Sequence, residues 1–432
     1  MKKKLLAAIL AVLLCGNSFS VCAAPQGMAG SISLQSGAGA VPSNNKDAQN
    51  YHLYGNYNWN WAETVNSYLY ENQSGGLTRV EYIDGQIVAE DYDNGFRLCA
   101  SYAIPMELSQ WGGFYAGDQY NFVIFGQSNP SESNETEVVR VVKYSKDWQR
   151  LGQASLYGAN TVEPFASGSL RCAGYGDYLY IRTCHKMYKS QSDGRNHQAN
   201  MTLVVRQSDM TVTDSYHIVM NSSVGYVSHS FNQFVLIDQN ANLVTLDHGD
   251  AYPRSIVLMR NRNNKADGGK FSGSVDTSTL VAFPGGTGDN RTGASVGGFA
   301  ETAGGYVTAF NYDGVGGGGV REIYIGYTDK SGLSSRVSKV TQSSGMYTPV
   351  LVSTGLDGGY LMWTDVNGLF YYTRYTDGGT IGAIGTADAA LSDCQPICHN
   401  GEVIWYVTAN SVPVFYRLDA AGVVSATMAD AQ

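Results

Sequence analysis

Charge is scarce in this chain. Only 15% of its 432 residues are Asp, Glu, Lys or Arg, which excludes a long coiled coil or a helical bundle laced with ion pairs. Basic residues are the scarcer sign, 28 against 37 acidic. An acidic surface repels phosphate backbones, so nucleic acid is excluded as the main partner. Cysteine is sparse as well. Beyond Cys15 and Cys22 near the start there are Cys99, Cys172, Cys184, Cys394 and Cys398, an odd set too small for a disulfide framework. Cys394 and Cys398 are close enough in sequence to pair, or are simply small buried residues. Long hydrophobic runs are missing too. The unbroken apolar stretch 5–14 is ten residues, about half of what a membrane-spanning helix needs, and no later segment is long and apolar enough to cross.

That short run follows Met1-Lys2-Lys3-Lys4 and leads to Val21-Cys22-Ala23-Ala24-Pro25. A basic start, a ten-residue apolar stretch and a small-residue exit predict a secretory signal peptide over residues 1–23. A lipoprotein signal is the alternative, but Leu14 and Val21 before the two cysteines are bulkier than such processing prefers. Loss of the three signal lysines leaves 25 basic residues against 37 acidic, a formal charge of −12. Residues 24–50, rich in Ser, Ala, Gly and Asn, read as a flexible leader. The aromatic cluster Tyr51, Tyr54, Tyr57, Trp59 and Trp61 that follows suits either stacking on sugar rings or strapping the leader to the domain. The main domain is expected over residues 51–432.

What the chain has in abundance is glycine, 51 residues without a three-residue period, and tyrosine, 30 residues. Hydrophobic residues at 43% supply a core, and the glycine and aromatic content points to short strands joined by tight turns. One unit recurs: a strand rich in aromatic and β-branched residues, then a turn centred on Asp, then a second strand. Its marks are Asp84, Asp147, Asp209, a degenerate copy at Asp267, then Asp329, Asp377 and Asp419, spaced by 63, 62, 58, 62, 48 and 42 residues. A second signature precedes several marks, a turn followed by an apolar strand, as in Gly117-Asp118-Gln119-Tyr120-Asn121-Phe122-Val123 and Asn400-Gly401-Glu402-Val403-Ile404-Trp405. Four short strands per unit and seven units are the arithmetic of an all-β protein, a β-propeller with seven blades of four antiparallel strands. One such sheet cannot bury both faces alone; a ring buries each sheet against two neighbours and leaves no long open edge. Six blades or a sandwich remain alternatives, because the fourth mark is poor and the spacing uneven. Trp111, Trp148, Trp363 and Trp405 are expected mostly in the core, and Asn311-Tyr312-Asp313-Gly314 reads as a turn rather than a calcium loop.

Polar chemistry collects in the third and fourth units. His185, His197, His229 and His248 each stand among polar neighbours, with Gln198, Asp193, Asp250, Tyr252 and Arg254 close in sequence. In the third blade, 178–185 reads as the second strand and 198–206 as the third. In the fourth, 231–237 reads as the first and 243–248 as the second. Antiparallel succession places second-to-third loops and blade-to-blade connections at one end of the disc. The four histidines, Asp193, Asp250 and Arg254 are therefore predicted to share one face. Three roles compete for them. They cap strands and satisfy loop carbonyls, or His185, His197, His229 and His248 hold a divalent metal ion, or the set His185, His197, Gln198, His229, His248, Asp250 and Arg254 binds a saccharide. A polysaccharide lyase would use His229, His248, Tyr252 and Arg254 for proton abstraction and carboxylate neutralisation; that idea rests on fold-level analogy.

Three segments carry a resemblance: Asn196-His197-Gln198-Ala199-Asn200-Met201, Ser228-His229-Ser230-Phe231-Asn232-Gln233-Phe234 and Asp247-His248-Gly249-Asp250-Ala251-Tyr252-Pro253-Arg254. Residues 110–260 are similar to uncharacterised secreted or surface β-propeller-like proteins of Gram-positive anaerobic bacteria. The resemblance implies an extracellular or cell-surface setting and transfers no activity. The expected function is an extracellular recognition module for glycan or cell-envelope ligands. A polysaccharide-acting enzyme and a structural protein–protein scaffold are the alternatives.

Overall fold

The computed structural model describes residues 62–218, 228–271, 274–316, 319–342, 345–409 and 412–429, with backbone alone for Ser228, His229, Ser230, Asn263, Asn264, Lys265 and Ala409. The segments predicted as signal peptide (1–23) and leader (24–50), and the aromatic cluster ending at Trp61, lie outside these residues. Seven blades, each of four antiparallel strands, form the ring of a β-propeller, those of blades three and four being joined in one sheet, and the seven-blade expectation is met. The blades span residues 67–104, 110–157, 171–216, 228–282, 294–339, 350–387 and 397–428. A further short strand, Thr161–Pro164, pairs with the second strand of blade three. Among the described residues no helix is long and apolar enough to cross a membrane.

Burial explains the composition of each position in a blade. Second and third strands are covered on both faces and so read as continuous apolar runs. Asn121–Gly126 is buried throughout, and Val138, Val139, Val141 and Val142 are all buried in its partner Glu137–Tyr144. The outermost strand keeps one wet face, as in Leu98–Ile104, where exposed and half-buried positions alternate along all but its last residue. Large side chains fill the wedges between blades. Trp111, Trp148, Trp363 and Trp405 are all buried, and Trp405 stacks between Phe370 of blade six and Tyr416 of its own blade. Near the axis the inner strands crowd together. A bulge between Val296 and Gly298 bends the first strand of blade five, and a Cβ on Gly297 would stand 1.8 Å from the Pro349 carbonyl oxygen, so only glycine fits.

The Asp marks have two jobs to support, and the structure separates them. At the turn between third and fourth strands the aspartate carboxylate accepts backbone N–H groups from the residues after it. Asp329 takes those of Gly332 and Ser334, and Asp419 that of Val423. In blade one this role belongs to Asp93, which accepts from Gly95 and Arg97. Asp84, the sequence mark, lies in the preceding turn between Leu77–Ile83 and Gln86–Tyr92. The first mark was one hairpin early because both turns carry Asp before a Gly.

The same turns receive a bond from the preceding blade. Lys143 Nζ donates to the Gln207 carbonyl (2.7 Å), Arg260 Nη1 to Lys330 (2.6 Å) and Arg417 Nη2 to Asn94 (3.1 Å). Arg336 and Arg374 reach Gly378 and Ala420 in the same way. Between blades three and four the Tyr180 hydroxyl donates to the Ala266 carbonyl at 2.5 Å. Each staple satisfies a turn carbonyl with a donor that is in most cases charged.

Every blade is contiguous in sequence, so the ring closes between blades seven and one without a shared strand. The seam is held by side chains. Asp393 accepts from the Asn66 N–H (2.7 Å) and Ser67 Oγ (2.9 Å), Thr408 Oγ1 donates to the buried Glu81 carboxylate (2.8 Å), and Glu81 in turn holds Arg79. Beneath them Leu69, Leu77, Tyr92 and Phe96 pack on Ile404, Tyr406, Phe415 and Ala429.

Candidate functional site

The two ends of the disc are fixed by the strand order. One end carries the second-to-third loops and the blade-to-blade connections, and all the predicted site residues lie at that end of blades three and four. Here the two sheets join. Pro164 is opposite His185, His185 opposite Ala199, Ala199 opposite Ser228 and Ser228 opposite Ala251, a single row across five strands. At a strand spacing of about 4.8 Å this row is roughly 19 Å wide.

The row divides the candidates by depth. His185 is buried, with Nδ1 2.7 Å from Thr161 Oγ1 and Nε2 lacking a partner among the described residues. Burial, assisted by the nearby His217, pulls its pKa down to about 3, so the ring is neutral. His248 is buried between the edges of Phe231 and Phe283, and its Nε2 lies 2.8 Å from Thr292 Oγ1. Its pKa is also drawn down to about 3, first by burial and then by Arg321 and Arg254. Asp250 is buried, and its carbonyl accepts the Gly288 N–H. Arg254 spends its guanidinium on three carbonyls of the connection to blade five, those of Pro284, Asp289 and Arg291. Gln198 Nε2 donates to the Ala166 carbonyl at 3.2 Å.

Two candidates face solvent. His197 Nε2 lies 3.0 Å from the Asp193 carboxylate across the loop that the sequence predicted, and Tyr252, at the hairpin tip between the second and third strands of blade four, is 57% exposed. The backbone of His229 lies in the strand Ser228–Ile237; its side chain is outside the described residues. The shared end is as expected from the strand assignment, but His185, His248 and Asp250 form the floor and not the surface. Among the described residues no three or more His, Cys, Asp or Glu side chains are grouped to hold a metal ion.

Below the row lies a polar network that sequence reasoning missed. Arg182 and Asp247, both buried, form a two-pronged pair (Nη2–Oδ2 2.5 Å, Nε–Oδ1 3.1 Å), and Asn200 Nδ2 donates to the same carboxylate. Gln233 Nε2 donates to Asn200 Oδ1, and Ser169 Oγ donates to Asn232 Oδ1. The network stands where the apolar packing is thinnest, since the hydrophobic cluster between blades three and four is the smallest of the seven inter-blade clusters. Its signal in the sequence was polar residues inside strands, at positions where other blades carry Val or Phe. His217, also missed, follows the fourth strand of blade three at the same end of the disc.

A second feature is axial. The first strands of all seven blades enclose a cavity of about 750 Å³, lined by Tyr68, Phe114, Phe234 and Leu351 with Arg171 and Asp393 in the wall. Cys172 and Cys398 lie on this wall too, and none of the five described cysteines is in a disulfide, so Cys394 and Cys398 do not pair. Gly293-Ala294-Ser295-Val296-Gly297 has the spelling of a hydrolase nucleophile turn. Ser295, however, is buried within the strand Ala294–Glu301 and its Oγ accepts from Arg321 Nη1 at 2.9 Å. Asp313 accepts the N–H groups of Val315, Gly316 and Gly319, a turn and not a calcium loop.

The chain matches no protein-family profile and no curated protein sequence. Solved structures share its architecture. The BP39L lectin from Burkholderia pseudomallei aligns with a TM-score of 0.53 at 7% identity, over 84% of this chain and 98% of that one. The Aleuria aurantia lectin in complex with Fucα1-6GlcNAc aligns at 0.41 and 10% identity, over 84% and 96%. A puromycin hydrolase aligns at 0.48 and 12% identity, over 88% of this chain and 57% of that one. At such identities the likeness concerns the fold alone, a β-propeller.

Proposed function

We propose that this protein is a secreted or surface-associated recognition propeller that binds glycan through the rim of blades three and four. The observation that carries the reading is the continuous five-strand row from Pro164 to Ala251, with Tyr252 exposed and His197 half-exposed above a buried floor. A rigid shelf roughly 19 Å wide suits an extended chain of sugars, with an aromatic face for stacking and imidazole and carboxylate groups for hydroxyls. The signal-like start at residues 1–23 supports the extracellular setting, and the lectin of similar fold agrees with the ligand class. Catalysis has less support. His248 and Arg254, two of the four lyase candidates, are committed to Thr292 and to loop carbonyls.

Binding to immobilised polysaccharides and cell-envelope glycans tests the reading. The intact protein is expected to bind at least one, and Tyr252→Ala and His197→Ala are each expected to weaken it about tenfold, or about 1.4 kcal/mol. Wild-type protein that retains no glycan at about 1 mM overturns it. So does the release of unsaturated uronates from polyuronate, which would make the protein a lyase.

A further inference from the structure

The opposite end of the disc carries a second opening, between blades six and seven. A cleft of about 200 Å³ is lined by Tyr360, Tyr372, Arg374, Gly382, Ala383 and the turn at Ala420 to Gly422. Its origin is an interrupted strand. The fourth strand of blade six, Gly385–Ala387, covers Phe370 to Tyr372; nearer the turn Ile381 bridges Tyr375 and the Gly382 N–H donates to the Arg374 carbonyl, and the edge is broken between these two pairings. In blade two the corresponding strand, Arg150–Tyr157, runs the full length of its neighbour. Small residues on both sides, Gly382 and Ala383 facing Ala420 and Ala421, keep the gap open.

Within the cleft the chemistry is well defined. Arg374 is held in place, with its guanidinium carbon 5.1 Å from the centre of the Tyr360 ring, Nε donating to the Tyr360 hydroxyl (2.8 Å) and Nη2 3.4 Å from the Ala420 carbonyl oxygen. Its Nη1 has no protein partner among the described residues. Tyr372 is pinned by its hydroxyl to the Gly422 carbonyl at 2.6 Å, and its ring lies so close to Gly385 that a Cβ there would be 2.6 Å from it. The cleft thus offers a fixed cationic donor, backbone carbonyl acceptors and an apolar lining of tyrosine and alanine.

We propose that this cleft binds a single sugar ring, a terminal monosaccharide unit of a glycan. Its volume falls below the roughly 300–1,000 Å³ of a drug-sized site, so it takes one ring and not a chain. Hydroxyls of the sugar accept from Arg374 Nη1 and donate to the free lone pairs of the turn carbonyls. The C–H face of the ring lies on Tyr372 and the alanines. The ligand class rests on the glycan reading above; the site does not, because it lies at the other end of the disc from Tyr252 and His197.

Saturation-transfer NMR and calorimetry of the intact protein with free monosaccharides (neutral hexoses, deoxyhexoses, N-acetylhexosamines and hexuronates) test it. At least one is expected to bind with a dissociation constant of about 1–10 mM, the range for so small a ligand. Ala421→Trp, which fills the cleft from an exposed turn, is expected to abolish that binding, and Arg374→Ala to weaken it about tenfold. Because Arg374 also staples two blades, the folded state of each variant is confirmed by its NMR dispersion, and Ala421→Trp decides if Arg374→Ala is disordered. Absence of monosaccharide binding, or binding that survives Ala421→Trp, overturns the cleft. Polysaccharide retention that depends on Tyr252 would then still stand, so the two failures are distinguishable.

Discussion

Single residues at the rim of blades three and four do structural work in a form with a measurable pH signature. An unfolded histidine takes up its proton near pH 6.5, whereas His185 and His248 in the folded protein hold out to about 3. Between those values the unfolded chain binds more protons, so lowering the pH favours unfolding and raising it favours the fold. Each imidazole is expected to cost about 2 kcal/mol of stability between pH 6.5 and 5. Urea titrations at pH 7, 6 and 5 read this directly, and His248→Gln is expected to flatten the slope. A stability that does not change over this interval would show that the rings are not held neutral. The Arg182–Asp247 pair makes a separate prediction. Asp247→Ala strands a buried guanidinium and is expected to cost about 3–5 kcal/mol, while Arg182→Met combined with Asp247→Leu is expected to cost much less. Equal losses from the single and double variants would contradict a dry, paired site.

At the scale of strands and turns, the Asp marks and the staples are the working parts. Asp329→Ala removes the acceptor for two backbone N–H groups in one turn and is expected to lower stability by about 1 kcal/mol in denaturant titration. Asp84→Ala, one hairpin away from the equivalent turn of blade one, is expected to do much less, and Asp93→Ala to match Asp329→Ala. This contrast also shows what the sequence could reveal. Strand number, blade number and the buried tryptophans were legible because buried strands need apolar runs and tight turns need Asp and Gly. Local spacing also gave the second and third strands of blade three to within a few residues. It could not show that Lys143 or Arg417 reaches the next blade, since those partners are set by the twist of the sheets. Nor could it give depth. A histidine at the end of a strand reads alike whether it faces solvent, as His197 does, or is buried against Thr292, as His248 is. The cleft at Arg374 was invisible for the same reason: it exists because the neighbouring strand is interrupted between Gly382 and Gly385.

For the whole ring, the seam between blades one and seven decides how it opens. Its closure depends on Asp393, Thr408 and Glu81 and on packing around Phe415, with no strand shared across it. Asp393→Ala leaves the Asn66 N–H and the Ser67 hydroxyl without their acceptor and is expected to cost about 1–3 kcal/mol. Hydrogen exchange should accelerate first in blades one and seven; uniform acceleration around the ring would mean that the seam is no weaker than other interfaces. Contiguous blades have one more consequence. Because no sheet is assembled from distant parts of the chain, the junctions are topologically equivalent to the seam, except that between blades three and four, where Ala199 pairs with Ser228. A circularly permuted protein, cut in the connection between two other blades and linked across the present ends, should therefore assemble the same disc from a different starting petal.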